Sequence, residues 1–256
     1  MRFEIWGDFT FFNTAHIFNI SFRKLRTERR SPHPGKAAQL FSDTHPYIAN
    51  AYPGAKKAVE KAVKEMEKLI EERRADYHRL KQAPDYKGVQ FDEKTGALKA
   101  THVGHNTKDK AIVAFGLTNP QLEAECQNTL FRLGHSAILR DEGALLNKIR
   151  KTPPALDLEL DGKIMDIHTI TEEAAHYGGA LNQKNHQLGR VKRATGLFSD
   201  AVCLYFHRAE LFSEQRLMAD IEWHKSKIIE WESTQRIKYV YIVCNNPDRL
   251  LVYEVQ

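Results

Sequence analysis

The sequence predicts an α+β (α/β) domain on a mixed sheet, preceded by a mainly helical N-terminal region, and three observations carry that expectation. Helical and strand periodicities alternate along residues 86–256 in the order αβββαβαββ. A single long helical period runs from Ala55 to Gln82. With 256 residues, 42% hydrophobic, the chain is long and apolar enough to bury a core, as one large domain or two small ones. Residues 84–110, rich in Gly, Lys, Asp and Thr, place the boundary near residue 85. They divide the chain into a basic N-terminal region, 1–85, and an α/β domain, 86–256.

The elements follow in order. Phe3, Ile5, Trp6, Phe9, Phe11 and Phe12 read as buried strand or partner surface, and Ser31-Pro32-His33-Pro34-Gly35 as an irregular connection. Val59, Val63, Met66, Ile70 and Tyr77 form the apolar stripe of the long helix, with Pro53-Gly54 before it and Pro84 after it. Asn119-Pro120 opens the next helix as N-cap and first-turn pair. Leu122, Cys126, Leu130 and Leu133 give that helix a face, and Gly134 stops it. A strand over 135–140 follows, then strands over 156–160 and 163–170 joined by Asp161-Gly162, a dipeptide that favours the two-residue type I′ hairpin turn. A helix over 171–190, a strand over 201–207, a helix over 213–231 and strands over 239–244 and 250–255 complete the order.

Charge and composition exclude several classes. The net charge of +5 is concentrated at the N-terminal end, where residues 1–110 carry 21 Lys+Arg against 14 Asp+Glu. Lys24, Arg26, Arg29 and Arg30 are the densest group and are candidates for contact with a phosphate backbone. In the long helix the glutamates interleave with the lysines as they do on a solvated face. No run of 18 to 20 apolar residues is present, so neither a membrane partner nor a span is expected. Cys126, Cys203 and Cys244 are far apart in sequence and odd in number, which argues against a disulfide framework or a four-cysteine zinc site and fits a reducing cytoplasm.

The hairpin carries the chemistry. With Asp161-Gly162 as its loop, Leu160 pairs with Lys163, Glu159 with Ile164, Leu158 with Met165 and Asp157 with Asp166. Two carboxylates then stand directly opposite each other, a destabilising arrangement unless something neutralises them. Strand alternation adds Glu159 and His168 to the same face, and sends Lys163 to the other. Mg²⁺ or Mn²⁺ would turn the repulsion into ligation and activate water for attack on a phosphodiester, whereas a solvent-facing hairpin edge would need no ligand. Ile164 and Ile170 beside Asp166, with Met165 and Ile167 on the other face, argue that the strand is buried on both sides. In the preceding helix Glu123 and Glu125 flank the apolar stripe at similar angles, and Glu125 is taken as the further carboxylate. Gln183 and Lys184, with Asn185, His186 and Gln187, supply polar groups that could hold a phosphate. His102 and His105 form a second cluster suited to acid-base chemistry on RNA or to ordering a loop.

These runs resemble known nucleases. Residues 96–106, Glu125-Cys126-Gln127-Asn128, Gly134–Leu139 and Asp161–Ile167 look like a bacterial toxin-type nuclease module of the contact-dependent-inhibition or phage-associated kind. The hairpin is also similar to the core of the PD-(D/E)xK nucleases: an acid on a helix, an Asp ending one strand, and acid-x-Lys on the next. That resemblance implies Asp157 and Asp166 as metal ligands, Glu125 or Glu159 completing the shell, and Asp166, Asp157, His168 and Glu125 as the catalytic set. His168 stands where the family has its Lys. A resemblance to the barnase/EndoU/colicin/RelE-like fold implies instead metal-free RNA cleavage by His102, His105, His168 and Thr169. The expected function is a nucleic-acid phosphodiesterase acting on RNA or DNA, with an inhibitory or assembly protein as a further partner. The alternative is a non-catalytic binding or assembly module with a degenerate nuclease-like site.

Overall fold

The computed structural model describes residues 2–5, 55–105, 111–141, 156–171 and 176–255. In chain order these form β1 (Arg2–Ile5), α1 (Ala55–Gln82), β2 (Tyr86–Phe91), β3 (Leu98–His102), β4 (Ile112–Ala114), β5 (Leu117–Thr118), α2 (Asn119–Arg132), β6 (Ser136–Leu139), β7 (Leu158–Leu160), β8 (Lys163–Ile170), α3 (Tyr177–Thr195), β9 (Ala201–Phe206), α4 (Glu214–Glu230), β10 (Tyr239–Cys244) and β11 (Arg249–Glu254). From α2 onward the order is the expected αβββαβαββ, and the fold is α+β on a mixed sheet. No helix among the described residues is long and apolar enough to cross a membrane.

Among the described residues one sheet has nine strands in the order β1-β11-β10-β9-β8-β7-β6-β3-β2, with β4-β5 as a separate pair. The β6-β7-β8 run is an antiparallel meander, and β8-β9-β10 is parallel through helical crossovers. Asp161 and Gly162 both take positive φ, 49° and 79°, as the type I′ turn requires. The hairpin register that follows is Leu160↔Lys163, Glu159↔Ile164 and Leu158↔Met165, as the sequence predicts.

Both faces of the sheet are covered, so β8 is buried from two sides. On one face Leu122, Cys126 and Leu130 of α2 pack against Leu158, Met165, Ile167 and Tyr205. On the other, Leu181 and Leu188 of α3 pack against Ile170, Val202 and Leu204. Helix α1 lies on that same second face, because its Leu80 clusters with Ala100 and Ile138. All three cysteines are free and buried, and the fold brings the Cys126 and Cys203 thiols to 3.9 Å, a proximity their sequence separation hides.

Residues 84–110, where the sequence places the domain boundary, supply β2 and β3, which extend the sheet beyond β6. The residue-85 boundary therefore separates α1 from strands it packs on, and Arg73 of α1 donates to the carbonyls of Gly96 (3.2 Å) and Gly134 (3.0 Å) inside the sheet domain. Gly96 permits this approach, since a Cβ there would lie 2.7 Å from Ile70 Cγ1 and its φ is +69°. The N-cap of helix α2 lies one residue before the expected one: Thr118 caps a helix that begins at Asn119, and its N–H donates to Gln121 Oε1 at 2.8 Å. The basic cluster Lys24, Arg26, Arg29 and Arg30, and the aromatic residues Trp6, Phe9, Phe11 and Phe12, lie outside the described residues.

Candidate active site on the α1/α3 face

Sheet register builds the site row by row. Ala100, Ile138, Glu159 and Ile164 are successive partners across β3, β6, β7 and β8. Leu80 of α1 covers the β3-β6 end of this row, and Ile164 packs into the α3 cluster. Glu159, half-buried, therefore lies on the floor between the footprints of the two helices, with Arg79 of α1 near enough for its charge to act on it. The next row on the same face continues those ladders by one step, as His102, Arg140, Asp157 and Asp166. The step is fixed by a hydrogen bond from the Arg140 N–H to the Asp157 carbonyl at 2.8 Å. Asp157 and Asp166 are 4% and 1% exposed, so both acids lie inside the protein, not at a wet edge.

Their charges are met by the chain. Lys184, from the middle of α3, forms an ion pair with Asp166 Oδ2, its side chain 11% exposed against 2% for the carboxylate. Gln187, one turn on, donates to Asp166 Oδ1 at 3.4 Å. Asp157 Oδ2 accepts from the Ile167 N–H at 3.3 Å, which ties the end of β7 to β8. A buried carboxylate is tolerated only with such partners. Sequence reasoning took Lys184 as a contact to nucleic-acid backbone and missed its acid. The signal was present: Tyr177, Leu181, Leu188 and Val191 are buried at spacings of four and three, and Lys184 occupies the middle of that stripe. Gln183, taken with it, is exposed on the outer side of the helix.

His168 shares the face two residues beyond Asp166. Burial first, and the Lys184 charge second, push its pKa down to about 4, so the ring is neutral near pH 7. His224, hydrogen-bonded to Asn182 between α4 and α3, is likewise lowered to about 4 by burial and by the charge of His186. The folded protein therefore holds fewer protons than the unfolded chain between pH 6.5 and 4, and stability is lost as pH falls through that window. Each site contributes on the order of 2–3 kcal/mol to that loss. Urea unfolding at pH 7 and at pH 4.5 should show the decline, and His168→Gln should flatten it by roughly 2 kcal/mol; identical slopes in the two proteins would contradict this protonation assignment.

Other candidate residues are placed elsewhere. Glu125 does not join the aspartates, because α2 packs on the opposite face of the sheet. Its Oε2 instead accepts from His207 Nδ1 at 2.7 Å and from the Tyr205 hydroxyl at 3.2 Å. It borders a polar cavity of about 430 Å³ with Asn128, Arg132, Asn245, Asn246 and Asp248. Glu123 is buried beside His105, whose Nε2 is 3.0 Å from Glu123 Oε2 and whose Nδ1 donates to the Arg140 carbonyl at 3.1 Å. His105 thus orders the segment after β3. His102 packs edge-on against Tyr86, ring centroids 5.1 Å apart, and its Nδ1 accepts from the Gly104 N–H at 3.0 Å. His102 and His105, two of the histidines of the metal-free reading, thus have separate partners. Lys163 points away from the acids, to Asp200 at 3.1 Å.

Among the described residues no group of three or more His, Cys, Asp or Glu side chains gathers to hold a metal ion. Asp157 and Asp166 alone suit a cation that takes one or two carboxylates and fills its shell with water and substrate oxygens, as Mg²⁺ does. Compared with protein-family models, curated proteins and solved structures, the chain matches none.

Proposed function

We propose that the protein hydrolyses phosphodiester bonds of nucleic acid, with Asp157, Asp166 and Lys184 as the reacting set. The observation that carries this reading is the buried Asp166, met by a lysine that reaches across from α3, with the buried Asp157 one register step beyond the hairpin's last printed pair. The acid-x-Lys pattern that the hairpin resembles has its ammonium two residues after the acid. Here His168 occupies that position, and Lys184 brings an ammonium to the same carboxylate from the helix. Buried, partnered charges at a sheet-helix junction are the usual raw material of an active site.

Each residue has a defined role. Lys184 neutralises charge that builds on the phosphoryl oxygens and donates a hydrogen bond to the attacking water. Asp166, beside it, accepts the proton that this water gives up as its oxygen bonds to phosphorus; the phosphorus–oxygen bond to the departing nucleoside breaks, and that oxygen takes its proton from solvent. A neutral His168 does not supply a proton near pH 7; it accepts a hydrogen bond and so aims the water. Asp157 and Asp166 would hold a Mg²⁺ or Mn²⁺ ion, which when bound supplies charge neutralisation of the phosphoryl oxygens. Glu159, one row away, is assigned no chemical step.

The test is cleavage of total tRNA and of plasmid DNA by the purified full chain, in Mg²⁺, Mn²⁺ or EDTA, beside Asp166→Asn. Cutting of one substrate, reduced at least about 100-fold in the folded variant, is the expected result. Cutting of equal rate in Asp166→Asn would remove the chemistry from this face. Cutting in EDTA that still requires Asp166 would keep the residues and dispense with the cation. No cutting of either substrate by folded protein would favour the binding-module alternative.

A further inference from the structure

Among the described residues, Arg140 is the cation of this row whose Nη1 is buried without a hydrogen-bond partner. Its backbone is fixed on both sides, the N–H to the Asp157 carbonyl at 2.8 Å and the carbonyl by His105 Nδ1 at 3.1 Å. Strand alternation then directs its side chain to the face of Ile138, Asp157 and Asp166. Its Nη1 is buried without a hydrogen-bond partner, and among the described residues no carboxylate forms an ion pair with its guanidinium. A buried guanidinium N–H left unpaired is costly, and an anion laid across the row would satisfy it.

The row continues past Arg140 to His102. Because His102 Nδ1 accepts from the Gly104 N–H, the neutral ring carries its proton on Nε2, a donor. Tyr86, half-buried, stands beside it. Adjacent strands are about 4.8 Å apart, so Arg140 lies about 10 Å and His102 about 14 Å from Asp166 along a line crossing the strands. One phosphoryl group at Asp166 and Lys184 does not reach that far, whereas a polynucleotide strand does.

We propose that Arg140, followed by His102, is a phosphate-binding track for the segment of a single-stranded polynucleotide flanking the cleaved bond, so that the substrate is a polymer strand and not a mononucleotide. This rests on the phosphodiesterase reading for its register but is tested apart from it. The guanidinium grips two non-bridging oxygens of one phosphate, and the imidazole N–H donates to the next.

The experiment measures binding, by fluorescence anisotropy, of a labelled 2′-O-methyl RNA 12-mer, which resists cleavage, to the full chain at several salt concentrations. A labelled mononucleotide serves as the short probe. Arg140→Gln should weaken 12-mer binding about tenfold and lower the slope of log K against log salt by about one, with an unchanged melting temperature. Arg140→Lys should keep the slope and lose about threefold in affinity, because an ammonium cannot make the paired contact. Should Arg140→Gln lose its cooperative melting, the lysine variant decides the question. Affinity and slope unchanged in the folded variants, or a mononucleotide bound as tightly as the 12-mer, would overturn the track while leaving the cleavage reading in place. Arg140-dependent binding by a chain that cuts nothing would overturn the cleavage reading and leave the track standing.

Discussion

Asp166→Ala should destabilise the fold by about 3–5 kcal/mol, and Lys184→Ala by a similar amount, since either change leaves one buried charge without its partner. That is a large part of the stability of an ordinary domain. The magnitude follows from burial, because side chains 2% and 11% exposed cannot recover in water what they lose from each other. Replacing both charges tells whether the pair is needed for folding. Asp166→Val with Lys184→Met puts a β-branched residue of similar size in the strand and a long apolar chain in the helix, and removes both desolvation costs together. The double variant should therefore regain most of the stability either alanine variant loses. Urea unfolding of the four proteins gives the coupling energy directly. Losses that simply add would show that the two side chains do not act on one another in solution.

Asp161→Ala should cost about 3 kcal/mol although its side chain is 37% exposed, because one carboxylate joins three segments. Its Oδ1 accepts from Arg73 Nη2 at 2.5 Å and from the Ser136 N–H at 2.9 Å, and its Oδ2 from His135 Nδ1 at 2.7 Å. The loss of this acid would leave the Arg73 guanidinium, on a residue 9% exposed, with only the Gly96 and Gly134 carbonyls. Burial raises the Asp161 pKa, but the His135 hydrogen bond and the charges of His135 and Arg73 outweigh it, so the folded value lies below the usual carboxylate range. A depressed acid contributes stability that is complete above about pH 4 and is lost as pH falls through its folded value. This window lies below that of His168 and His224, so the two effects separate. Thermal melting of Asp161→Ala at pH 7 and pH 3 should show a deficit at pH 7 that narrows at pH 3. A constant deficit would assign the loss to packing and turn geometry alone.

The two helices on this face share a pattern that explains what the sequence discloses. In α1 the half-buried Met66, Ile70 and Tyr77 and the buried Leu80 recur at spacings of four and three with Arg73 among them. In α3 the same spacing runs from Tyr177 to Val191 with Lys184 among them. Each embedded cation meets an acid of the β7-β8 hairpin, Arg73 at the turn and Lys184 on the strand. A lone cation in an apolar stripe is readable from sequence as a charge that needs a buried partner; which partner is a fact of tertiary placement.

The hairpin itself was legible because its determinants are local. Asp161-Gly162 selects the turn, the turn fixes the register, and alternation then places Asp157, Glu159, Asp166 and His168 together. The β2-β3 pair was not, because β2 is an edge strand with a register shift between Lys87 and Gln90, which breaks the alternation of half-buried and exposed residues. The parallel pairing of β3 with β6 joins segments 38 positions apart, Leu98 to Ser136, and leaves no local mark. Helical angle could not choose between Glu123 and Glu125, and neither reaches the aspartates, since the face that α2 covers is decided by the whole apolar stripe.

The measurement that bears most directly on the chemistry is cleavage by the Asp166→Val/Lys184→Met protein, with its melting temperature taken in the same buffer. A folded double variant that retains binding of the 2′-O-methyl 12-mer and loses cutting of tRNA or plasmid DNA by at least about 100-fold is the expected result. A folded double variant that cuts at the original rate would reduce the buried pair to a packing device and contradict its role in catalysis.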